Sequence, residues 1–157
     1  MKMSITFDGF EKMATELNEK GQDVKVAVSE ALEETQRYVQ QEVESASAPY
    51  ANGSGKKQIG LKYSWANGNM YDAIIRNPKI EWSGNVATVG VGFSPEQNKV
   101  GFMTSLFVMY GVPAHGKFNR GYQKDAKVYN AIKGVRTQKH IAELQKEIME
   151  KHLKMGR

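Results

Sequence analysis

Residues Phe102–Pro113 read Phe-Met-Thr-Ser-Leu-Phe-Val-Met-Tyr-Gly-Val-Pro, the most apolar run in an otherwise polar chain. A run of this kind has to be covered, so the fold must be organised around it. Read as extended backbone it is apolar on both faces. That predicts a strand over Met103–Tyr110, central in its sheet and covered on both sides. The run stops at Gly111-Val112-Pro113, and the chain then turns strongly basic. A buried strand that delivers the backbone into a positive loop suggests a scaffold holding out a binding surface.

The chain has 157 residues, which favours a single domain, 1–157, burying roughly 70% of its unfolded surface. No apolar stretch approaches the roughly 18 residues of a membrane span, and the segment Met1–Asp8 lacks the apolar core and cleavage site of a signal peptide. Cysteine is absent, which removes disulfides, thiolate metal sites and cysteine nucleophiles and suits a reducing cytoplasm. The net charge is +5, unevenly spread. Residues 1–48 hold five Lys/Arg against ten Asp/Glu, and residues 49–157 hold seventeen against seven. Such polarity steers a basic surface toward DNA or stacks an acidic face on a basic one in a multimer.

The remaining pattern is coarse but readable. Met1–Phe7 suits a short strand, and a helix follows with Phe10, Met13, Ala14 and Leu17 at helical spacing. A long helix over about Asp23–Ala46 carries Val24, Val28, Ala31, Leu32, Thr35, Tyr38, Val39 and Val43 as one stripe. Glu30, Glu33, Glu34, Arg37 and Glu44 fill its solvated side. Residues 47–61 and 113–124 read as mobile loops. Residues 63–75 are ambiguous between strand and helix. Lys79–Trp82 and Val86–Phe93 flank Ser83-Gly84-Asn85 as a hairpin, with Ala87, Val89, Val91 and Phe93 on one face. Val86, Thr88, Gly90 and Gly92 form a small-residue face that another element can approach closely. Asp125–Ile132 reads as a short helix, Gly134 interrupts it, and a last helix over about Arg136–Lys154 presents Ile141, Leu144, Ile148 and Met155. Its flanks pair Glu143 with Lys146, Glu147 with Lys151 and Glu150 with Lys154. The order indicates an α+β fold: a small antiparallel sheet packed by a long N-terminal-half helix and a C-terminal helix.

Motifs for bond chemistry are weak. Gly53-Ser54-Gly55-Lys56-Lys57 puts Tyr50 where a phosphate-binding loop needs its first glycine and Lys57 where it needs Ser/Thr. His115, His140 and His152 form no metal pair, and no serine sits in a nucleophile elbow. The expectation is no enzyme, no cofactor and no metal. The segment 117–139 is richer. Lys117, Arg120, Lys124, Lys127, Lys133, Arg136 and Lys139 face one acid, Asp125, with Phe118, Tyr122 and Tyr129 interleaved. A solvated basic face, DNA contact and contact with an acidic protein all fit. The candidate contact residues are Lys117, Phe118, Arg120, Tyr122, Lys124 and Lys127, with Tyr110, Gly111 and Pro113 at the end of the apolar run.

These segments, taken together, resemble the head–tail connector family of long-tailed bacteriophages, the neck, tail-completion or minor tail component proteins. The matching features are Phe7-Asp8-Gly9-Phe10 at the first helix start and Ala48-Pro49 at the end of the long helix. Gly60-Leu61-Lys62-Tyr63-Ser64 and Gly68–Ile74 are rival matches to a Gly-x-Leu segment. The strand pair around Trp82 and Val89 follows, and then Phe107–Pro113, where Val112 stands for the family's threonine. The resemblance implies a structural virion protein without turnover, assembled in the host cytoplasm as a ring, a hexamer, at the neck or tail. Its partners would be itself, phage neck and tail-tube proteins, and double-stranded DNA in the lumen; no membrane is involved. The alternative is a small basic DNA-binding protein of phage or host.

Overall fold

The computed structural model describes residues 4–6, 11–21, 23–51, 69–77, 79–84, 86–114, 121 and 123–155. In chain order its elements are β1 (Ser4–Thr6), α1 (Glu11–Glu19), α2 (Val24–Ser47), a 3-10 turn (Ala48–Tyr50), α3 (Asn69–Asp72), β2 (Ile80–Ser83), β3 (Val86–Gly90), α4 (Lys99–Tyr110), α5 (Ala126–Lys133) and α6 (Val135–Met155). The fold is α+β. The sheet is antiparallel with strand order β1-β3-β2, pairing Ile5 with Val89 on one side and Ile80 with Val89 on the other. Gly84, at φ 62°, makes the hairpin turn between β2 and β3.

The apolar run is a helix, not a strand. Residues 99–110 form α4, and the centre of the sheet belongs to β3. A run apolar on every side has no period to distinguish an extended reading from a buried helix. Local chemistry decides it. The Asn98 side chain accepts the Gly101 N–H at 2.8 Å as an N-cap, and Gly111, at φ 76°, ends the last turn.

The long helix came out as its stripe foretold. Asp23 caps it through the Lys25 N–H at 2.9 Å, and Ala27, Val28, Ala31, Leu32, Thr35, Val39 and Val43 are buried. α2 packs against β2 and β3 as well as α5 and α6, so it is the central layer between the sheet and the C-terminal helices. Two buried amides hold those layers. Gln36 donates to the Ile75 carbonyl at 3.1 Å, and Gln145 of α6 donates to the Thr35 hydroxyl at 3.3 Å. The fully buried side chains include Leu17, Leu32, Val39, Val43, Met70, Ile74, Val89, Phe93, Met109 and Met149. Each such residue contributes about 1.5–3 kcal/mol by burial.

Several boundaries and faces differ from the sequence reading. Residues 47–51, assigned to a loop, finish α2 and form the 3-10 turn, with Tyr50 buried; residues 52–68 lie outside the described residues. The ambiguous stretch near Asp72 is both forms: α3, then a bridge pairing Ile74 with Phe93. Ile75 lies against the small-residue face at Gly90, where a Cβ would come 3.4 Å from its Cδ1. On α6, Met155 is exposed, while Thr137, Gln145 and Met149 are buried beside Ile141 and Ile148. Its intrahelical ion pairs are Lys139–Glu143 and Lys146–Glu150, not the pairs expected. Lys151 instead reaches across to Glu30 of α2 at 2.8 Å.

Candidate contact surface at the end of the fourth helix

The surface is built where α4 ends and α5 begins. The Gly111 N–H closes α4 on the Phe107 carbonyl at 2.8 Å, and Pro113 stands exposed two residues on. Proline cannot continue a helix, so α4 does not extend past this point. Asp125 bonds back to the same helix: its N–H donates to the Val108 carbonyl at 2.7 Å. Gly121 packs beside the segment that follows α4. It sits at φ 72°, and a Cβ there would stand 2.6 Å from the Val112 carbonyl oxygen and 2.7 Å from the Ala114 nitrogen. Only glycine permits both the left-handed backbone and the close approach.

Asp125 is also a latch. One carboxylate oxygen accepts the Lys127 N–H at 2.9 Å and so caps α5. The other accepts the Tyr50 hydroxyl at 2.6 Å. The end of the long helix is thereby tied to the start of α5, across 75 residues of sequence. At its far end α5 is closed by α6, where Thr137 and Gln138 donate to the carbonyls of Asn130 and Ile132, each at 2.7 Å.

On this frame Tyr110, at the end of α4, meets Tyr129 of α5 edge to face at 5.9 Å. Each ring carries a lysine. The Lys124 ammonium lies 5.2 Å from the Tyr129 ring centre, and that of Lys133 lies 5.4 Å from the Tyr110 ring centre. Hydrogen bonding to Tyr110, with the neighbouring phenols adding to it, lifts the Lys133 ammonium above its ordinary range against the opposing effect of burial. The lysine is therefore a cation throughout the neutral range. Lys127, Lys133, Arg136 and Lys139 are exposed along α5 and the start of α6. The arrangement is a lysine–tyrosine cluster where α4 meets the start of α5.

Of the residues singled out in the sequence, Tyr110, Gly111, Pro113 and Lys124 come together here, and Lys127 lies in the first turn of α5. Lys117, Phe118, Arg120 and Tyr122 lie outside the described residues. Gly111 ends a helix, not a strand. Sequence reasoning missed the latch role of Asp125 and the packing at Gly121. An aspartate directly before a helix signals a cap; nothing local signals that Tyr50 shares it.

The histidines of the described residues have structural neighbours. His140 packs its ring 4.4 Å from that of Tyr38, and His152 Nε2 lies 2.6 Å from Glu30. Among the described residues no cluster of three His, Asp or Glu side chains could hold a metal ion, and no helix is long and apolar enough to cross a membrane. In comparisons with known proteins, the chain matches no family model, no curated protein and no solved structure.

Proposed function

We propose that this protein is a structural component that joins a phage head to its tail, a ring-forming neck or tail-completion piece around the DNA passage. The observation that carries the reading is the junction of α4 and α5, where Gly121 packs on Val112 and Ala114 and Asp125 bonds back to Val108. The Lys124–Tyr129–Tyr110–Lys133 cluster lies at that junction and offers a cationic, aromatic contact surface. A contact surface held this way suits repeated docking between like subunits. The opposite charges of the two parts of the chain add an attraction between neighbours. The short motifs that resemble head–tail connectors span nearly the whole chain and give the reading its class.

Purified full-length protein, examined by native mass measurement and negative-stain imaging, should form rings or join tails and neck components. A strictly monomeric protein that associates with neither would refute the assignment. A second reading, direct DNA binding, is favoured by the cationic exposure of α5. Changing Lys117, Arg120 and Lys124 together to alanine separates the two. A connector loses assembly more than DNA affinity, whereas a DNA-binding protein loses affinity and shows a flatter salt dependence.

A further inference from the structure

We propose that the outward stripe of α4 is the contact by which one copy of this chain holds the next, and that it docks on the acidic outer face of α1 and α2 of a second copy. The proposal rests on the ring reading above and names the surface that would build it. Its foundation is the apolar side chains that α4 leaves on its outer face. The side chains turned to the core are Phe102, Thr104, Ser105, Val108 and Met109, while Val100, Met103 and Tyr110 stand 42%, 44% and 48% exposed. The inward hydroxyls are satisfied by their own helix: Thr104 donates to the Val100 carbonyl and Ser105 to that of Phe102. A helix serving only its own monomer turns its polar residues outward and its apolar ones inward. Here the inner face holds Phe102, Val108 and Met109 with two hydroxyls among them, and the outer face is apolar as well.

The exposed residues form a line. Val100, Met103, Phe107 and Tyr110 follow one another at spacings of three and four residues, with Phe107 half-buried. From Val100 to Tyr110 the line extends over about 15 Å. Standard interfaces bury roughly 800 Å² per partner, so the stripe is the apolar centre of a larger contact with a polar rim. That rim is cationic. Lys99 stands exposed at the first turn of α4, Lys133 lies over Tyr110 at its last, and Lys124 lies over Tyr129 of the adjoining α5.

The matching surface is on the chain itself. Residues 11–47 carry nine carboxylates against four cations. Glu16, Glu19 and Glu33 are exposed there, as is Val26. Within one protomer α4 packs on α3 and α5, whereas α1 packs on α2 and α6. The two faces belong to different sets of elements, so docking one on the other joins different copies head to tail. Contacts of that kind close into a ring when the rotation permits.

The test uses the full chain in three forms: wild type, a stripe variant (Val100→Ser with Met103→Glu) and an acid-face variant (Glu19→Lys with Glu33→Lys). All four positions are exposed, and circular dichroism checks that each form is folded. Met103→Ser provides a milder stripe change with the same expected direction. Sedimentation velocity and native mass spectrometry should show the wild type assembling and each variant weakened by at least roughly 30-fold. An equimolar mixture of the two variants should form a heterodimer that grows no further, because each supplies the one intact face the other lacks. Stripe variants that assemble like the wild type would overturn the docking surface and leave the ring reading standing. Variants that dissociate yet stay monomeric when mixed would overturn the acidic face as occupant. A wild-type chain that is monomeric at every concentration would bring down the ring reading itself.

Discussion

The hydrogen bond between Tyr50 and Asp125 offers a direct test of how this fold ties the end of the long helix to the start of α5. Tyr50 is 3% exposed, and its hydroxyl donates to a carboxylate at 2.6 Å. A bond of this kind to a charged acceptor contributes about 1.5–3 kcal/mol. Tyr50→Phe removes the bond and keeps the ring, so it should cost roughly 2 kcal/mol, or about 4–8 °C in Tm for a domain of this size. Asp125→Ala removes the same bond and also the α5 cap, worth roughly 1 kcal/mol more. It should cost about 3 kcal/mol in all. The double variant loses the shared bond only once, so it should be barely less stable than Asp125→Ala. Urea denaturation of the four proteins then gives a coupling of about 2 kcal/mol. Additivity within about 0.5 kcal/mol would refute the latch. It would mean that Tyr50 and Asp125 stabilise the protein independently.

Gly121→Ala should destabilise by roughly 2 kcal/mol or more, because a Cβ meets the Val112 carbonyl and the backbone is left-handed; thermal melting and faster proteolytic cleavage near 112–121 would register it. Glu30 is held below its ordinary value near 4.5 by its bond to Lys151 first and to His152 second. A lowered folded value stabilises fully above about pH 4.5 and is lost as pH falls through that lower value. Glu30→Gln should therefore cost about 0.5–1 kcal/mol at pH 7, since the group is partly screened, and the gap to wild type should close in acid; denaturation at several pH values measures it. Gln36→Leu keeps the volume but removes the donor to the Ile75 carbonyl, and should cost about 1–3 kcal/mol by chemical denaturation.

The elements whose pattern is local were legible from the residues. The stripe of α2 repeats at helical spacing over six turns, and Asp23 and Asp125 mark the starts of α2 and α5 by side-chain capping. Ser83-Gly84-Asn85 announced the hairpin because a left-handed turn needs glycine. The apolar run was misread because its period was erased. Its length, the cap at Asn98 and the Gly111-x-Pro113 stop are the signals that favour a helix. In the candidate surface, the basic and aromatic composition of 117–139 was visible, but the Tyr110–Tyr129 contact needs the crossing of two helices.

The sequence by itself determined the α+β class, the long central helix and the acidic-to-basic change along the chain, since each depends on neighbours within a few residues. Tertiary structure decided what those parts face. It placed β3, not the apolar run, at the centre of the sheet, and it made Glu30 a clasp to α6 where the local pattern shows only a solvated glutamate. It joined Tyr50 to Asp125 and turned Val100 and Met103 outward while Thr104 and Ser105 went in. These choices minimise the free energy of packing distant segments together, and no local window contains both partners.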